Sequence, residues 1–490
     1  MTTRLMLLSL AFLESFLLGA AVVAIFWREA RSSWASLLLQ CATAWGIGAG
    51  LTSSLYFLWL RLAGRGSRGF LLLETFLILG GWTAFFVVRR RRKPESPSVP
   101  AAPAGLLTHL AIALFVFWGV LTLLCLILRH RYGGWDAVAM WNVHAKFFAS
   151  PLPGAWRGMF TPGAGPTHLD YPQLPAHPDY PPLLSAFVAQ AWACTGATAP
   201  LVPALVALFF TSGTALLLIS SASFLRSPHA GLLAGALLLT SPTFLGAAMI
   251  QYADVPLSFY FLLSVVLLHY ADRARRADKG LYVLAGLAAG CAALTKNEGS
   301  LFLVVLALSR LVHLALRRQV RQGLRDLVPI ALGLAPLLLV LLYYKSFTSP
   351  NEIIAAQHGG LFAKMFTSSR YLTILKAART AIFYPENLAS VTGFKVVFNW
   401  QVPAFALFCL LVGFERKRAL HASVLPVAFI AILLYLGYFV VYLLTPYELA
   451  WHLRTSLERL LAQVAPILIL ACLLGLGTFE PGNRPGPAPP

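Results

Sequence analysis

Four short polar motifs stand out in a strongly apolar chain, and each contains residues capable of acid–base chemistry. In chain order they are Gly133-Gly134-Trp135-Asp136, His177-Pro178-Asp179-Tyr180-Pro181-Pro182, Tyr252-Ala253-Asp254-Val255-Pro256-Leu257 and Thr295-Lys296-Asn297-Glu298. A carboxylate held beside a hydroxyl can remove its proton during an attack, which is general base catalysis. The motifs lie far apart along the chain, so they form one site only if the elements between them bring them together.

The composition identifies the class of protein. Of 490 residues, 58% are hydrophobic and only 11% are charged, whereas a soluble globular protein has roughly 25% charged residues. A disordered chain is excluded as well, because it would need low hydrophobicity. The net charge of +20 is compatible with nucleic acid or with a membrane. Because apolar runs of about 20 residues recur along the chain, we expect a membrane protein with no nucleic-acid partner.

The apolar runs predict an all-α protein, since lipid cannot satisfy the hydrogen bonds of an exposed backbone. About 13 transmembrane helices are expected from the length and hydrophobicity of these runs. The predicted spans are 5–26, 34–60, 70–88, 105–128, 199–220, 229–249, 255–271, 280–294, 299–316, 327–344, 396–413, 421–443 and 461–478.

Basic clusters in the predicted turns indicate the orientation, because cytoplasmic loops carry an excess of Lys and Arg. The strongest cluster is 89–93, followed by a Pro-rich linker, and others lie at 273–279, 317–325 and 416–418. Alternating the helices from an N-terminal anchor places these clusters together in the cytoplasm. The turn 61–68, which carries three arginines, falls on the other side and disagrees with this layout.

The same alternation assigns all four polar motifs to the external face. The first long loop is expected to form interfacial helices, with the short apolar segment 182–196 as a juxtamembrane helix. The predicted external segments are 129–198, 250–254, 295–298, 345–395 and 444–460.

Two acids differ in how well a structural role explains them. Asp254 precedes Val255-Pro256, a favourable helix start, so it can be an N-terminal cap rather than a site residue. Asp136 follows two glycines and an aromatic residue, which favours a role in a site.

The order of these motifs resembles that of the GT-C glycosyltransferases. Within that superfamily the chain is most similar to the bacterial relatives of protein O-mannosyltransferases and of the lipid A aminoarabinose and galacturonosyl transferases. The likeness covers about residues 105–300 and, loosely, the later helices. The segment from Thr445-Pro446-Tyr447-Glu448 to Arg459 also resembles a family element.

The resemblance implies a reaction and a location. Such enzymes take a sugar from a polyprenyl-phosphate donor at the external face and commonly invert the anomeric centre. Asp136 matches the family's catalytic position and would be the general base toward an acceptor hydroxyl of a lipid, glycan or protein. The leaving lipid phosphate needs cationic groups rather than a general acid. A bacterial inner membrane, with the active site facing the periplasm or exterior, is implied.

The chain departs from its relatives at one position. Several relatives have two adjacent acids, whereas Asp136 is followed by Ala137. Asp254 is therefore expected to supply the second carboxylate, as a substrate ligand or as a partner that tunes Asp136. Lys296 matches a family Thr-Lys pair and can bind donor phosphate or extend to the membrane interface. Glu298 can bind substrate or pair with Lys296.

Other candidate substrate ligands are aromatic or basic. His452 and Arg459 are seven residues apart and share one face if their segment is helical. The alternative for that segment is an interfacial helix with solvated charges. The second long loop, with Asn351, Glu352, Gln357 and His358, can cover the acceptor site. These further candidates are His177, Tyr180, Tyr252, His452, Arg454 and Arg459.

The predicted organisation has three parts. Residues 1–104 are extra N-terminal helices with a basic, Pro-rich linker, 105–478 are a GT-C-like domain, and 479–490 are a disordered tail. No metal is expected, because Asp136 and Asp254 offer a hard cation too few oxygen ligands. No CxxC pair occurs among the six cysteines, and no cofactor is expected.

The alternative function is a multispanning transporter or flippase for lipid-linked saccharides. Such a protein would show internal repeats and broken helices near the middle of the membrane. No internal repeat is evident in the sequence. Glu14 and Glu74 are the only acids well inside predicted spans, and both belong to the N-terminal helices.

Overall fold

The computed structural model describes residues 2–27, 33–90, 105–160, 177–273, 279–317, 320–348, 361–386, 397–421 and 423–477. Within these residues the chain forms nineteen α-helices and no named β-strand, so the all-α prediction is confirmed. The helices are α1 Thr2–Phe26, α2 Trp34–Ala63, α3 Gly69–Arg90, α4 Leu106–Arg129, α5 Asn142–Ala149, α6 Leu183–Thr195, α7 Leu201–Leu225, α8 Pro228–Leu239, α9 Pro242–Met249, α10 Asp254–Arg273, α11 Lys279–Thr295, α12 Asn297–Arg317, α13 Val320–Lys345, α14 Leu361–Phe366, α15 Ser368–Phe383, α16 Gln401–Val412, α17 Arg416–Ala419, α18 Leu425–Leu444 and α19 Leu449–Gly475. A π-helical turn, Ala137–Trp141, and a 3-10 turn, Ala155–Met159, lie in the first long loop.

The helices form a multi-pass membrane protein. Ten of the described helices are long and apolar enough to cross a membrane, or eleven if the bent pair α8–α9 is one span. Two predicted spans form the shorter apolar helices α11 and α16. The prediction of thirteen full spans is therefore not confirmed, because helices of 17 and 12 residues fall short of the roughly 20 residues that a bilayer needs.

The predicted span 229–249 is broken into α8 and α9, whose axes differ by 62°. Ser241 caps α9 by accepting a hydrogen bond from the Phe244 amide, and Pro242 follows at its first turn. This is a favoured start for a new helix. The side-chain amide of Gln401 donates to the Leu237 carbonyl at the break, at 2.6 Å.

The N-terminal helices belong to the same core as the rest. A Cβ at Gly19 would lie 1.9 Å from the Ala44 carbonyl oxygen, so glycine allows α1 and α2 to touch. Tyr260 of α10 donates to the Gly46 carbonyl of α2 at 2.9 Å. One buried cluster extends from Leu8 to Leu476. The described part of 1–104 is therefore packed into the bundle that forms the site.

Helix α10 is the centre of the bundle, and its most apolar stretch is buried on every side. It packs against α7, α11 and α19. A helix that is apolar all round suits such a position. Asp254, at its start, is consequently enclosed by neighbouring helices.

Two segments differ from the sequence-based expectation. The segment 182–196 forms the short helix α6, but nearly all its residues are buried against α1, α2 and α5, so it does not lie flat on a surface. Residues 449–475, which join most of the predicted external loop 444–460 to the predicted span 461–478, form one long helix, α19. The first turns of α19 therefore continue a span, which excludes a separate interfacial helix there.

Several predictions concern residues outside the described ranges. These are the basic residues 91–93, the linker 94–103, the loop residues Asn351, Glu352, Gln357 and His358, and the tail 479–490.

Candidate functional site

Three helices begin at the same place, and each has an acid at its start. Asp254 is in the first turn of α10 and Glu298 is in the first turn of α12. Glu448 caps α19 by accepting hydrogen bonds from the Ala450 and Trp451 amides. The positive end of a helix dipole stabilises a carboxylate in this position. Glu448 is exposed and acts as a cap, whereas both side-chain oxygens of Asp254 bond to Lys296, Arg459 and Gln463 instead of backbone amides.

Arg459 and Lys296 join the acids of separate motifs into one charge cluster. The Arg459 guanidinium lies 2.9 Å from Oδ2 of Asp136 and 3.1 Å from Oδ2 of Asp254. The Lys296 ammonium lies 2.9 Å from Oδ1 of Asp254 and 2.8 Å from Oε1 of Glu298. Three of the four sequence motifs thus meet through two cations.

Burial separates the roles of the two aspartates. The Asp254 side chain is 0% exposed, whereas 17% of the Asp136 side chain is exposed. Both Asp254 oxygens are occupied, because the Gln463 amide also donates to Oδ1 at 2.5 Å. Asp136 is therefore the member of this pair that a substrate can reach. Of the two roles expected for Asp254, the geometry favours a partner of Asp136 over a substrate ligand.

The carboxylates keep Lys296 positively charged. Burial alone would lower the pKa of Lys296, but Asp254 and Glu298 outweigh it and raise that pKa above its usual range. Burial also raises the pKa of Tyr180, and burial together with the Asp136 charge raises the pKa of Tyr252. The site therefore keeps its ammonium charged and both phenols neutral at alkaline pH.

Two glycines place Asp136 against Tyr252. Gly133 has φ of +70°, a conformation that glycine adopts without strain. A Cβ on Gly134 would lie 2.6 Å from the Tyr252 hydroxyl. With no side chain there, the Asp136 amide donates to that hydroxyl at 3.2 Å, and Arg459 lies over the Tyr252 ring, 4.5 Å from its centroid. The Gly-Gly sequence is thus a steric requirement of the site.

Three residues of the motif 177–182, His177, Asp179 and Tyr180, line the same site. His177 and Trp141 stack on Tyr180, with centroid distances of 5.0 and 5.6 Å. Asp179 accepts a hydrogen bond from the Asn297 amide at 2.7 Å through Oδ2. Its Oδ1 is buried and has no hydrogen-bond partner in the described part of the chain.

These groups line a cavity of about 1070 Å³. Nine of the ten predicted site residues line it, and Asp254 lies behind its wall. His452 and Arg459 share the cavity face of α19, as their spacing predicted. The nine are Asp136, His177, Tyr180, Tyr252, Lys296, Glu298, His452, Arg454 and Arg459.

Arg454 is the cationic group most available to an incoming anion. It is exposed at the cavity and forms no ion pair within the described ranges. Lys296 is only 4% exposed and is held by two carboxylates. His452 lies beside Arg454, with Nδ1 2.9 Å from the Thr445 hydroxyl oxygen.

A second cavity, of about 760 Å³, adjoins the first and is almost entirely apolar. Side chains of α8, α15, α16, α18 and α19 surround it, and Tyr438 and Leu460 line both cavities. A polar chamber beside an apolar one can hold a molecule with a polar head and a hydrocarbon tail.

Sequence reasoning missed three polar residues that support the site. Asn297 and Asp179 stood inside quoted motifs, but their short side chains gave no sign of contact. Gln463 is four residues after Arg459 and inside an apolar span, and an isolated polar residue in such a position is a signal that could have identified it.

Among the described residues, no group of three or more His, Cys, Asp or Glu side chains could hold a metal ion. Comparison with known proteins finds no matching family model, no similar curated protein and no similar solved structure.

Proposed function

We propose that this chain is a membrane glycosyltransferase that moves a sugar from a polyprenyl-phosphate donor to an acceptor hydroxyl. The active site would face the periplasm or the exterior of a bacterial inner membrane, and the transfer would invert the anomeric centre. One observation carries the proposal: a reachable carboxylate, Asp136, is held by a cation of the cavity wall, Arg459, in a polar cavity beside an apolar one.

Asp136 is suited to the role of general base. Its Oδ2 is held by Arg459 at 2.9 Å, and its Oδ1 makes no hydrogen bond within the described residues. In the proposed step, the acceptor oxygen attacks the anomeric carbon and its proton passes to Oδ1 of Asp136. The bond from that carbon to the phosphate oxygen breaks, and the lipid phosphate leaves with the electron pair.

Arg459 gives Asp136 its position. A guanidinium can hold two carboxylates with separate N–H groups, and here it spans Asp136 and the fully buried Asp254. Because Asp254 is fixed by Lys296 and Gln463 as well, the arrangement anchors a partly exposed loop residue to the bundle. A base held in place in this way needs little reorganisation during the reaction.

The donor fits the pair of cavities. Arg454, with His452 beside it, would contact the phosphate, since the other cations of the wall already have carboxylate partners. The polyprenyl chain would occupy the apolar cavity beyond Tyr438 and Leu460. The sequence had offered Lys296 for the donor phosphate, and His452, Arg454 and Arg459 for phosphate or an anionic acceptor.

One feature favours the alternative, a flippase for lipid-linked saccharides. The broken pair α8–α9 borders the apolar cavity, and broken helices are common at transporter substrate sites. The break itself, however, is lined by apolar side chains together with Ser241, Thr243 and Gln401, and the charged residues lie in the other cavity.

The two functions are separated by reconstituting the full chain in vesicles containing a polyprenyl-phosphate sugar. A transferase releases free polyprenyl phosphate only when an acceptor extract is present. A flippase moves the intact donor between leaflets and releases none. Movement without release would contradict the proposal, and mass analysis of envelope glycans with and without the gene would identify the acceptor.

A further inference from the structure

Two carboxyl groups lie inside the membrane-spanning helices and take no part in the proposed reaction. Glu14 is in the middle of α1 and Glu74 is on α3. Glu14 is 7% exposed and Glu74 is 0% exposed. Charged side chains at such positions are costly, and those that persist usually have a function.

Each carboxyl group has one oxygen with a partner and one without. The Thr75 hydroxyl donates to Oε1 of Glu14 at 2.7 Å, and the Thr52 hydroxyl of α2 donates to Oε1 of Glu74. Oε2 of Glu14 and Oε2 of Glu74 are both buried without a hydrogen-bond partner in the described part of the chain. No basic side chain among the described residues forms an ion pair with either group.

Few charged or titratable groups surround this carboxyl pair. Helix α6 contributes Cys194, whose thiol donates to a carbonyl of α1. The turn before α3 contributes Arg68, which donates to the Cys194 carbonyl at 2.8 Å. Helix α2 contributes Tyr56, which donates to a carbonyl of α5, and α11 contributes Cys291, which lies against α2. None of these is placed to neutralise two carboxylates.

We propose that Glu14 and Glu74 form a proton-binding site that holds α3 against α1 and α2. Two carboxylates cannot both be ionised in a low-dielectric interior without a counter-ion, and they take up protons instead. Oε2 of Glu74 can hold a proton while Oε1 accepts from Thr52. The Thr75 hydroxyl also lies 2.8 Å from the Leu71 carbonyl, so Glu14 can hold its proton on Oε1 and donate it to Thr75. The pair therefore holds at least one proton at neutral pH.

The attachment of α3 depends on this site. Only Phe70, Glu74 and Ile78 of α3 are buried, and their four-residue spacing puts them on one helical face. Glu74 is the middle residue of that face. Loss of the proton leaves charge at the centre of the buried face of α3, so alkaline pH weakens the packing of α3 against its neighbours.

Infrared spectroscopy of the full chain in lipid nanodiscs tests the site directly. The C=O group of a protonated carboxyl absorbs infrared light at a higher frequency than a carboxylate or a backbone amide does. We expect this band at neutral pH, and we expect its reduction in both E14Q and E74Q. The matched control is E415Q, because the Glu415 side chain is 45% exposed and paired with Arg418. In T52V the band should move to higher frequency, since Glu74 loses a hydrogen bond to its C=O.

A second measurement needs no variant. An apolar carbodiimide modifies protonated carboxyl groups in membranes, so peptides containing Glu14 or Glu74 should be labelled at neutral pH and the Glu415 peptide should not. Absence of the band and of the label at neutral pH would overturn the proposal. A band that appears only when sodium is removed would also overturn it, because the carboxylates would then bind sodium in place of a proton. None of these readouts depends on sugar transfer.

Discussion

The Arg459 guanidinium lies 2.9 Å from the Asp136 carboxylate, although the two residues are 323 positions apart in the sequence. The same guanidinium contacts Asp254 at 3.1 Å. One arginine thus connects a loop carboxylate that a substrate can reach with a carboxylate at the centre of the bundle.

Replacing Arg459 should damage both stability and transfer. In R459Q, Asp136 loses its anchor and the buried Asp254 loses one cation, and breaking such a buried pair costs about 3 to 5 kcal/mol. R459K should recover part of the stability but little of the transfer, since an ammonium lacks the planar fork. Thermal unfolding in detergent and a transfer assay measure the two effects.

Arg454 provides the matched control for Arg459. It is on the same helix and cavity but makes no ion pair in the described ranges. R454Q should therefore leave the unfolding temperature unchanged and raise the KM for the donor. A fall in stability as large as that of R459Q would contradict the assignment of Arg454 to the phosphate.

The ring and the hydroxyl group of Tyr252 should contribute separately to the rate of sugar transfer. Y252F keeps the ring under Arg459 and loses only the bond from the Asp136 amide, so transfer should fall less than in Y252L. Loss of a cation–π contact of about 1 kcal/mol corresponds to a roughly fivefold effect. Equal activity in Y252F and Y252L would show that the ring contributes nothing.

Adding a methyl group at Gly134 should displace Tyr252. The new Cβ in G134A would lie 2.6 Å from the Tyr252 hydroxyl oxygen, so transfer should fall by at least as much as in Y252F. G80A is the control, because a Cβ at Gly80 meets no atom within 4 Å. Kinetic assays of both variants check this, and full activity in G134A would contradict the close packing.

The charge on Lys296 should persist at alkaline pH. Its pKa is raised in the folded protein, so the stability it contributes is complete below the unfolded pKa and is lost progressively as pH rises from there through the folded pKa. The difference in unfolding temperature between the wild type and K296Q should therefore stay constant from neutral pH to about pH 10, the ordinary pKa of lysine, and shrink at higher pH. A difference that vanishes just above neutral pH would indicate an uncharged lysine.

The apolar cavity should determine the use of long-chain donors. A465F places a ring into that cavity, so the KM for a long polyprenyl-phosphate sugar should rise while that for a short-chain analogue stays the same. A84F, on the exposed face of α3, is the control. An equal effect on both donors would place the lipid chain elsewhere.

The sequence predicted the helical class and most of the residues of the cavity wall. Hydropathy and motifs can be recognised from neighbouring residues alone, without knowledge of how the helices pack. Asp136, Lys296 and Arg459 could be proposed from residue type and predicted membrane depth. Their pairing could not, since it depends on how α10, α12 and α19 pack. The break at Pro242 and the continuity of α19 through 449–475 were missed because hydropathy alone does not locate helix ends.

The most direct test of the central claim is the rate of sugar transfer by D136N in membranes supplied with polyprenyl-phosphate sugars. Asparagine keeps the size of the side chain but cannot take the proton, and E415Q controls for removal of an exposed carboxylate. We predict a fall of about 100- to 10,000-fold in a protein that still folds, because Arg459 keeps its contact with Asp254. Transfer at the wild-type rate would contradict the role of Asp136 as the general base.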